Sequence, residues 1–181
     1  MVPDGSVLTN VTGTVDIVSN QQLESLGTVF DGIEEIGGEL AIFYNLALET
    51  IDTFNVLPSV EFLFINFNNE LTSITGFQSL EEVDDDVTIS NNPLLTSIAG
   101  LRNLTTVGGN LDLRSTGLSS LDELASLATV GGTLNIEDNQ LQNLGALDGL
   151  QSLANLVIQE NGALAAITGF NGIQTLDGFL R

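Results

Sequence analysis

A sequence that repeats itself every 22–25 residues can fold in very few ways. The run Val107–Ile136, VGGNLDLRSTGLSSLDELASLATVGGTLNI, contains its own copy: Val107, Leu111 and Leu113 return as Val130, Leu134 and Ile136 after 23 residues. Self-similarity at such a period marks a solenoid, in which each unit buries its apolar side only against the next.

Read outward from that stretch, seven copies emerge. Each holds an apolar pair flanking one outward residue, the alternation of a half-buried strand: Val15/Ile17, Leu40/Ile42, Leu63/Ile65, Val87/Ile89, Leu111/Leu113, Leu134/Ile136 and Leu156/Ile158, spaced by 25, 23, 24, 24, 23 and 22 residues. Three residues after each pair stands Asn20, Asn45, Asn68, Asn92, Thr116, Asn139 or Asn161. Side-chain amides in a stacked row can satisfy the backbone groups of a sharp bend, so these asparagines are expected to form a structural ladder. Beyond the ladder the apolar residues step by three, starting in successive copies at Leu23, Leu48, Leu71, Leu95, Leu118, Leu141 and Leu164 and ending at Ile36, Val60, Val83, Val107, Val130, Leu153 and Leu176. Steps of three suit a chain bending around corners, with brief 3₁₀ turns allowed. Ser120 with Glu123 is a candidate capping pair before one of them. Seven rows across seven copies make 49 expected core positions.

The expected fold is therefore an all-β solenoid of about seven coils of 22–25 residues, a right-handed β-helix with an Asn ladder. It forms one domain over residues 1–181, with a partial N-terminal coil to about residue 14 containing Leu8 and Val11, coils from 15 to 176, and the start of an eighth strand in 177–181. That unfinished strand suggests a segment of a longer protein with flanking domains, and an export signal, if there is one, lies outside this sequence.

Composition removes several function classes. The chain has no Cys and no His, so disulfides, thiolate or histidine metal sites and Ser-His-Asp chemistry are excluded. Twenty-four acidic residues face three Arg and no Lys, a net charge of -21. Nucleic-acid phosphates and anionic membrane surfaces are both bound through Lys and Arg, and no apolar run is long enough to span a bilayer; neither partner is expected. Self-repulsion on such a surface is relieved by salt, which fits a saline or calcium-containing setting.

The unit L-x-I-x-x-N-x-x-L-x-x-[LI]-x-x-[LF]-x-x-L-x-x-V-G-G is carried by Leu111–Leu113, by Leu134–Asn139, by SIAGLRNLTTVGGNL from Ser97 and by SITGFQSLEEV from Ser73. It resembles the receptor L-domain, the leucine-rich-repeat-like solenoid of growth-factor and insulin receptors and of many microbial surface proteins, over about Val11 to Leu180. The resemblance implies an extracellular ligand-binding or adhesive module. Without Cys, this chain is more similar to microbial surface or secreted proteins of that family than to animal receptors.

Candidate sites fall in two places. The outward strand row reads Asp16, Ala41, Phe64, Thr88, Asp112, Asn135, Val157, and beside Phe64 the sequence puts Phe43, Tyr44 and Phe67, with Phe62 adjacent. Clustered outward aromatics mark binding surfaces, so these four are the expected ligand site for a protein or glycan. Glu81, Glu82, Asp84, Asp85 and Asp86 crowd five carboxylates into six residues. Of these, Glu82, Asp84, Asp85 and Asp86 are the candidate ligands for calcium, the one cofactor considered, although a solvated acidic turn accounts for them more simply. Short Thr/Ser rows (Thr72-Ser73, Thr96-Ser97, Ser119-Ser120) raise ice binding as a minor alternative to local hydrogen bonding. Asn10 and Asn103 sit in N-glycosylation sequons. Asp112 with Glu137 or Asp138 would be the only acid pair for glycan cleavage, but nothing in the sequence supplies it a basic or nucleophilic partner, and no enzyme activity is expected. The expectation is a secreted or cell-surface recognition or adhesion module, with a structural spacer as the alternative.

Overall fold

The computed structural model describes residues 8–174 and 176–181. In chain order the strands are β1 (Asn10–Val11), β2 (Val15–Val18), β3 (Glu35–Ile36), β4 (Glu39–Phe43), β5 (Thr50–Ile51), β6 (Ser59–Val60), β7 (Phe62–Asn66), β8 (Ser73–Ile74), β9 (Glu82–Val83), β10 (Val87–Asn92), β11 (Thr106–Val107), β12 (Leu111–Thr116), β13 (Thr129–Glu137) and β14 (Ser152–Gln159). They stack as a β-solenoid of about seven turns, and every pairing is parallel.

The principal face runs β2-β4-β7-β10-β12-β13-β14, in the register that the apolar pairs dictate: Val15 opposite Leu40, Leu40 opposite Leu63, and so on to Leu134 opposite Leu156. A second face is built from the two-residue strands that close each coil, β6-β9-β11-β13 with β1-β3 beyond. In the last two full coils β13 runs through its Gly131-Gly132 corner and β14 through Ala154 at the matching place, so one long strand serves both faces. β5 and β8 form a third short sheet, extended by a bridge between Ser73 and Ser97. Beyond that point the corner becomes 3₁₀ turns at Ala99–Leu101, Asp122–Leu124 and Gly145–Gly149. Near the C-terminal end Leu180 makes an isolated parallel bridge to Leu156.

Forty of the 49 expected core positions are buried, in one continuous cluster. The other nine all belong to the first or last coil, where one stacking partner is missing: eight are half-buried, and Ile167, expected in the core, is 64% exposed. Inside the rod the Phe30, Phe54 and Phe77 rings stack coil on coil, with centroids 4.9 and 5.4 Å apart. A second correction concerns Ala41. It lies in the outward row yet is fully buried, because its small side chain sits between the larger ones of Asp16 and Phe64 in the register. The Ser120/Glu123 capping box does not form: Ser120 Oγ accepts from the Asp122 N–H at 3.0 Å, while Glu123 accepts from Ser97 Oγ in the preceding coil.

The asparagine ladder forms as expected and shows why Asn is the residue required. Asn68 Oδ1 accepts the backbone N–H of Asn45 at 3.1 Å, and its Nδ2 donates to the Ile42 carbonyl at 2.9 Å. Asn45, Asn92, Asn139 and Asn161 repeat the carbonyl bond onto Ile17, Ile65, Leu113 and Ile136. Only a primary amide supplies a donor and an acceptor in one plane at that reach. At the single departure, Thr116, strand pairing reaches two residues further than in the neighbouring coil, to Asn92 opposite Thr116. Asn20, at the open end, is exposed.

Among the described residues there is one ion pair, so a net charge of -21 is almost wholly uncompensated. The Asp112 carboxyl is raised above its ordinary value, chiefly by burial, with Arg114 pulling it down and Glu137 pushing it up. A raised carboxyl favours the folded chain most fully below the unfolded value, and that contribution is lost as pH rises through the folded one. Melting temperature is therefore expected to rise on acidification from pH 7 toward the carboxylate range. It should rise also from about 10 mM to about 1 M salt, over which the screening length falls from about 30 to about 3 Å. Calorimetric scans at both extremes check this; a flat response would mean that surface repulsion does not limit stability.

Candidate functional site

The bend that precedes each ladder asparagine has an unusual backbone. Ser19, Tyr44, Phe67, Asn91, Ser115, Asp138 and Glu160, one per coil, all take the left-handed conformation, with φ between 51° and 59°. The bend needs it so that the next residue can aim its amide at the preceding coil. Asn and Asp tolerate this region; a bulky side chain there is strained by about 1–2 kcal/mol. Two of the seven positions nonetheless carry aromatic rings.

Those two rings pack on each other across neighbouring coils. Tyr44 and Phe67 lie nearly parallel with centroids 4.8 Å apart, while 44% and 38% of their surfaces remain exposed. Phe43 meets Tyr44 edge-on at 5.7 Å. Phe64, half-buried on the principal face, stacks with Phe62 at 5.8 Å. Phe43, Tyr44, Phe64 and Phe67, all four expected ligand residues, line one shallow apolar depression of about 250 Å³ together with Asn66. Asn66 does not stand out in sequence, because its row holds Phe43, Ser90 and Arg114 as neighbours in register; its Oδ1 accepts from both the N–H and the hydroxyl of Ser90 at 3.0 Å. Two larger hollows, of about 390 and 290 Å³, lie at the C-terminal end around Ile167, Phe170 and Leu180, where stacking stops.

Among the described residues no group of three or more acidic side chains is arranged to hold a metal ion. Glu82 lies in β9, paired with Ser59 and Thr106. Asp86 Oδ1 caps the next coil, accepting from the Asn110 backbone N–H at 2.6 Å and from its Nδ2 at 2.9 Å. Asn110 Oδ1 repeats the bond onto the Thr133 N–H, and Asn155 Oδ1 onto that of Phe179. This second, partial ladder went unrecognised in sequence, although its signal is there: Asp86, Asn110, Thr133 and Asn155 each stand immediately before the strand pair.

Asp112 does have a basic neighbour, contrary to expectation. Arg114, two residues on and so on the same strand face, grips it with Nε and Nη2, both at 2.7 Å. Arginine stays protonated, so the pair provides charge and not proton transfer. Asn135 Nδ2 donates to the same carboxylate at 3.2 Å, leaving its own buried Oδ1 without a partner.

The hydroxyl rows are engaged locally: Thr72 and Thr96 donate to carbonyls of Glu49 and Thr72 one coil back, and Ser25 accepts from the Gly27 N–H. Asn10 and Asn103 are exposed, and their amide nitrogens donate to Glu35 and to the Gln78 carbonyl. No helix among the described residues is long and apolar enough to cross a membrane. Comparison with family models, with curated proteins and with solved structures yields no match.

Proposed function

We propose that the chain is a receptor L-domain-like recognition or adhesion module of a secreted or cell-surface protein, binding a protein or glycan ligand through the principal sheet face at Phe43, Tyr44, Phe64 and Phe67. The observation that carries this reading is the stacked Tyr44–Phe67 pair, whose rings stay exposed on the surface. The solenoid needs neither ring: Asn91 fills the same bend one coil later at φ 55°. Phe54 and Phe77 are left-handed too, at φ 64° and 61°, but they are sealed in the core, so it is the exposure of the Tyr44–Phe67 pair that calls for an explanation outside the fold.

Tyr44→Asn with Phe67→Asn separates the two roles. Relief of left-handed strain offsets the lost stacking, worth about 0.5–1.5 kcal/mol, so denaturant stability is expected to stay within about 1 kcal/mol of the parent. Binding of labelled protein to arrayed glycans and extracellular proteins is expected to fall at least tenfold, about 1.4 kcal/mol. Unchanged binding would reject the aromatic face as the site. If neither parent nor variant binds, the spacer reading gains, supported by the unbroken core.

A further inference from the structure

Resting on that reading of the aromatic face, we infer that its occupant is a cationic side chain, arginine or lysine, presented by a basic polypeptide. Two independent properties of the molecule converge on this class. The first is the ring geometry. The depression is bounded by four aromatic side chains and one amide, whose Oδ1 is committed to Ser90. Ring faces carry negative potential, and a guanidinium or ammonium is the polar group that gains by lying on them. A neutral sugar would also find ring faces here, beside the Asn66 Nδ2 and the Tyr44 hydroxyl, but it would gain nothing from the charge of the chain.

The second is charge. The net charge of -21 includes no Lys at all. Two of the three arginines are spent or distant: Arg114 is clamped by Asp112 in another coil, and Arg181 lies at the far C-terminal end, against Leu156 and Ile158. Arg102 turns back onto the Ala99 carbonyl at a 3₁₀ corner. The nearest arginine in register, Arg114, stands two strands from Asn66 in the same row and is held by Asp112, whereas acids stand in the rows of the aromatic side chains. Glu39 lies directly opposite Phe62 in register, Glu61 precedes Phe62 in the chain, and Asp16 follows Ala41 in the row of Phe64. A cation on the rings would therefore find carboxylates at the edge of the same patch. A field of one sign also accelerates the approach of an oppositely charged partner and repels acidic glycans.

The test titrates the full chain with a twelve-residue peptide alternating Arg and Gly, with its Gln/Gly counterpart, and with neutral cello- and chito-oligosaccharides, using calorimetry at low and high salt. The Arg peptide is expected to bind, the Gln peptide at least tenfold more weakly. Affinity should fall steeply with salt, and Tyr44→Asn/Phe67→Asn should weaken the Arg peptide about tenfold while leaving the salt slope unchanged. If the aromatic variant binds the Arg peptide as tightly as the parent, the attraction is diffuse surface charge and the inference is overturned. If an oligosaccharide binds instead and the variant abolishes it, the cationic occupant is wrong while the recognition face stands. If no probe binds and the variant leaves glycan and protein arrays unaffected, both fall.

Discussion

Asn68→Ala is expected to lower the unfolding free energy by about 3–5 kcal/mol, since it strands two buried backbone groups at about 1–3 kcal/mol each and leaves a void. The groups are the Asn45 N–H and the Ile42 carbonyl, both bonded to this one side chain, which is itself fully buried. Water cannot replace the amide in that position without opening the coil. Asn20→Ala at the exposed end should cost under about 1 kcal/mol, because solvent can take over its bonds. Asn68→Thr is expected to lose nearly as much as Asn68→Ala, because the hydroxyl of Thr116 donates forward to Asn139 at 2.6 Å and accepts from the Leu118 N–H, with no bond back to the preceding coil. Denaturant titrations of the three variants check the order. Equal losses at Asn20 and Asn68 would mean that the ladder is incidental to stability.

A second large effect is expected at Gly100, for a steric reason. A Cβ there would lie 1.7 Å from the carbonyl oxygen of Gly76, the residue directly one coil back, and Gly76 itself sits as tightly against Thr53. The obstacle is backbone on both sides, so no rotamer change relieves it. The coils would have to part, and the stacked Leu101 and Phe77, both buried, would part with them. Gly100→Ala is expected to cost about 3 kcal/mol or more, at the upper end of overpacking penalties. Gly162→Ala, with nothing within 4 Å of its would-be Cβ, should change stability by no more than about 0.5 kcal/mol. Thermal and denaturant unfolding of the pair provides the comparison; a harmless Gly100→Ala would show that coil spacing is set by side chains and not by backbone contact.

Both effects share a cause with what could be read in advance. Rows such as Leu40, Leu63, Val87 and Leu111 announce parallel stacking, because a solenoid repeats one environment and so repeats one residue type at each level. The Asn row was readable for the same reason. Ile167 was not, since its row says core while its coil has no neighbour above it. The second ladder escaped notice because Asp86, Asn110, Thr133 and Asn155 share a capacity to accept a hydrogen bond without sharing an identity. Arg114 beside Asp112 was missed although alternation along a strand puts residues two apart on one face.

The candidate site divides along the same line. That Phe43, Tyr44, Phe64 and Phe67 point away from the core followed from period and register alone. That Tyr44 and Phe67 sit in left-handed bends, stack at 4.8 Å and enclose one depression with Phe64 depends on how far adjacent coils are offset. Likewise, five acids in six residues specify charge density, but only the fold decided that Asp86 would cap Asn110. Local pattern determines which face a side chain takes, since that depends on backbone periodicity; what it meets there depends on residues a whole coil away, whose spacing is fixed only when backbone carbonyls, glycines and amides come into contact.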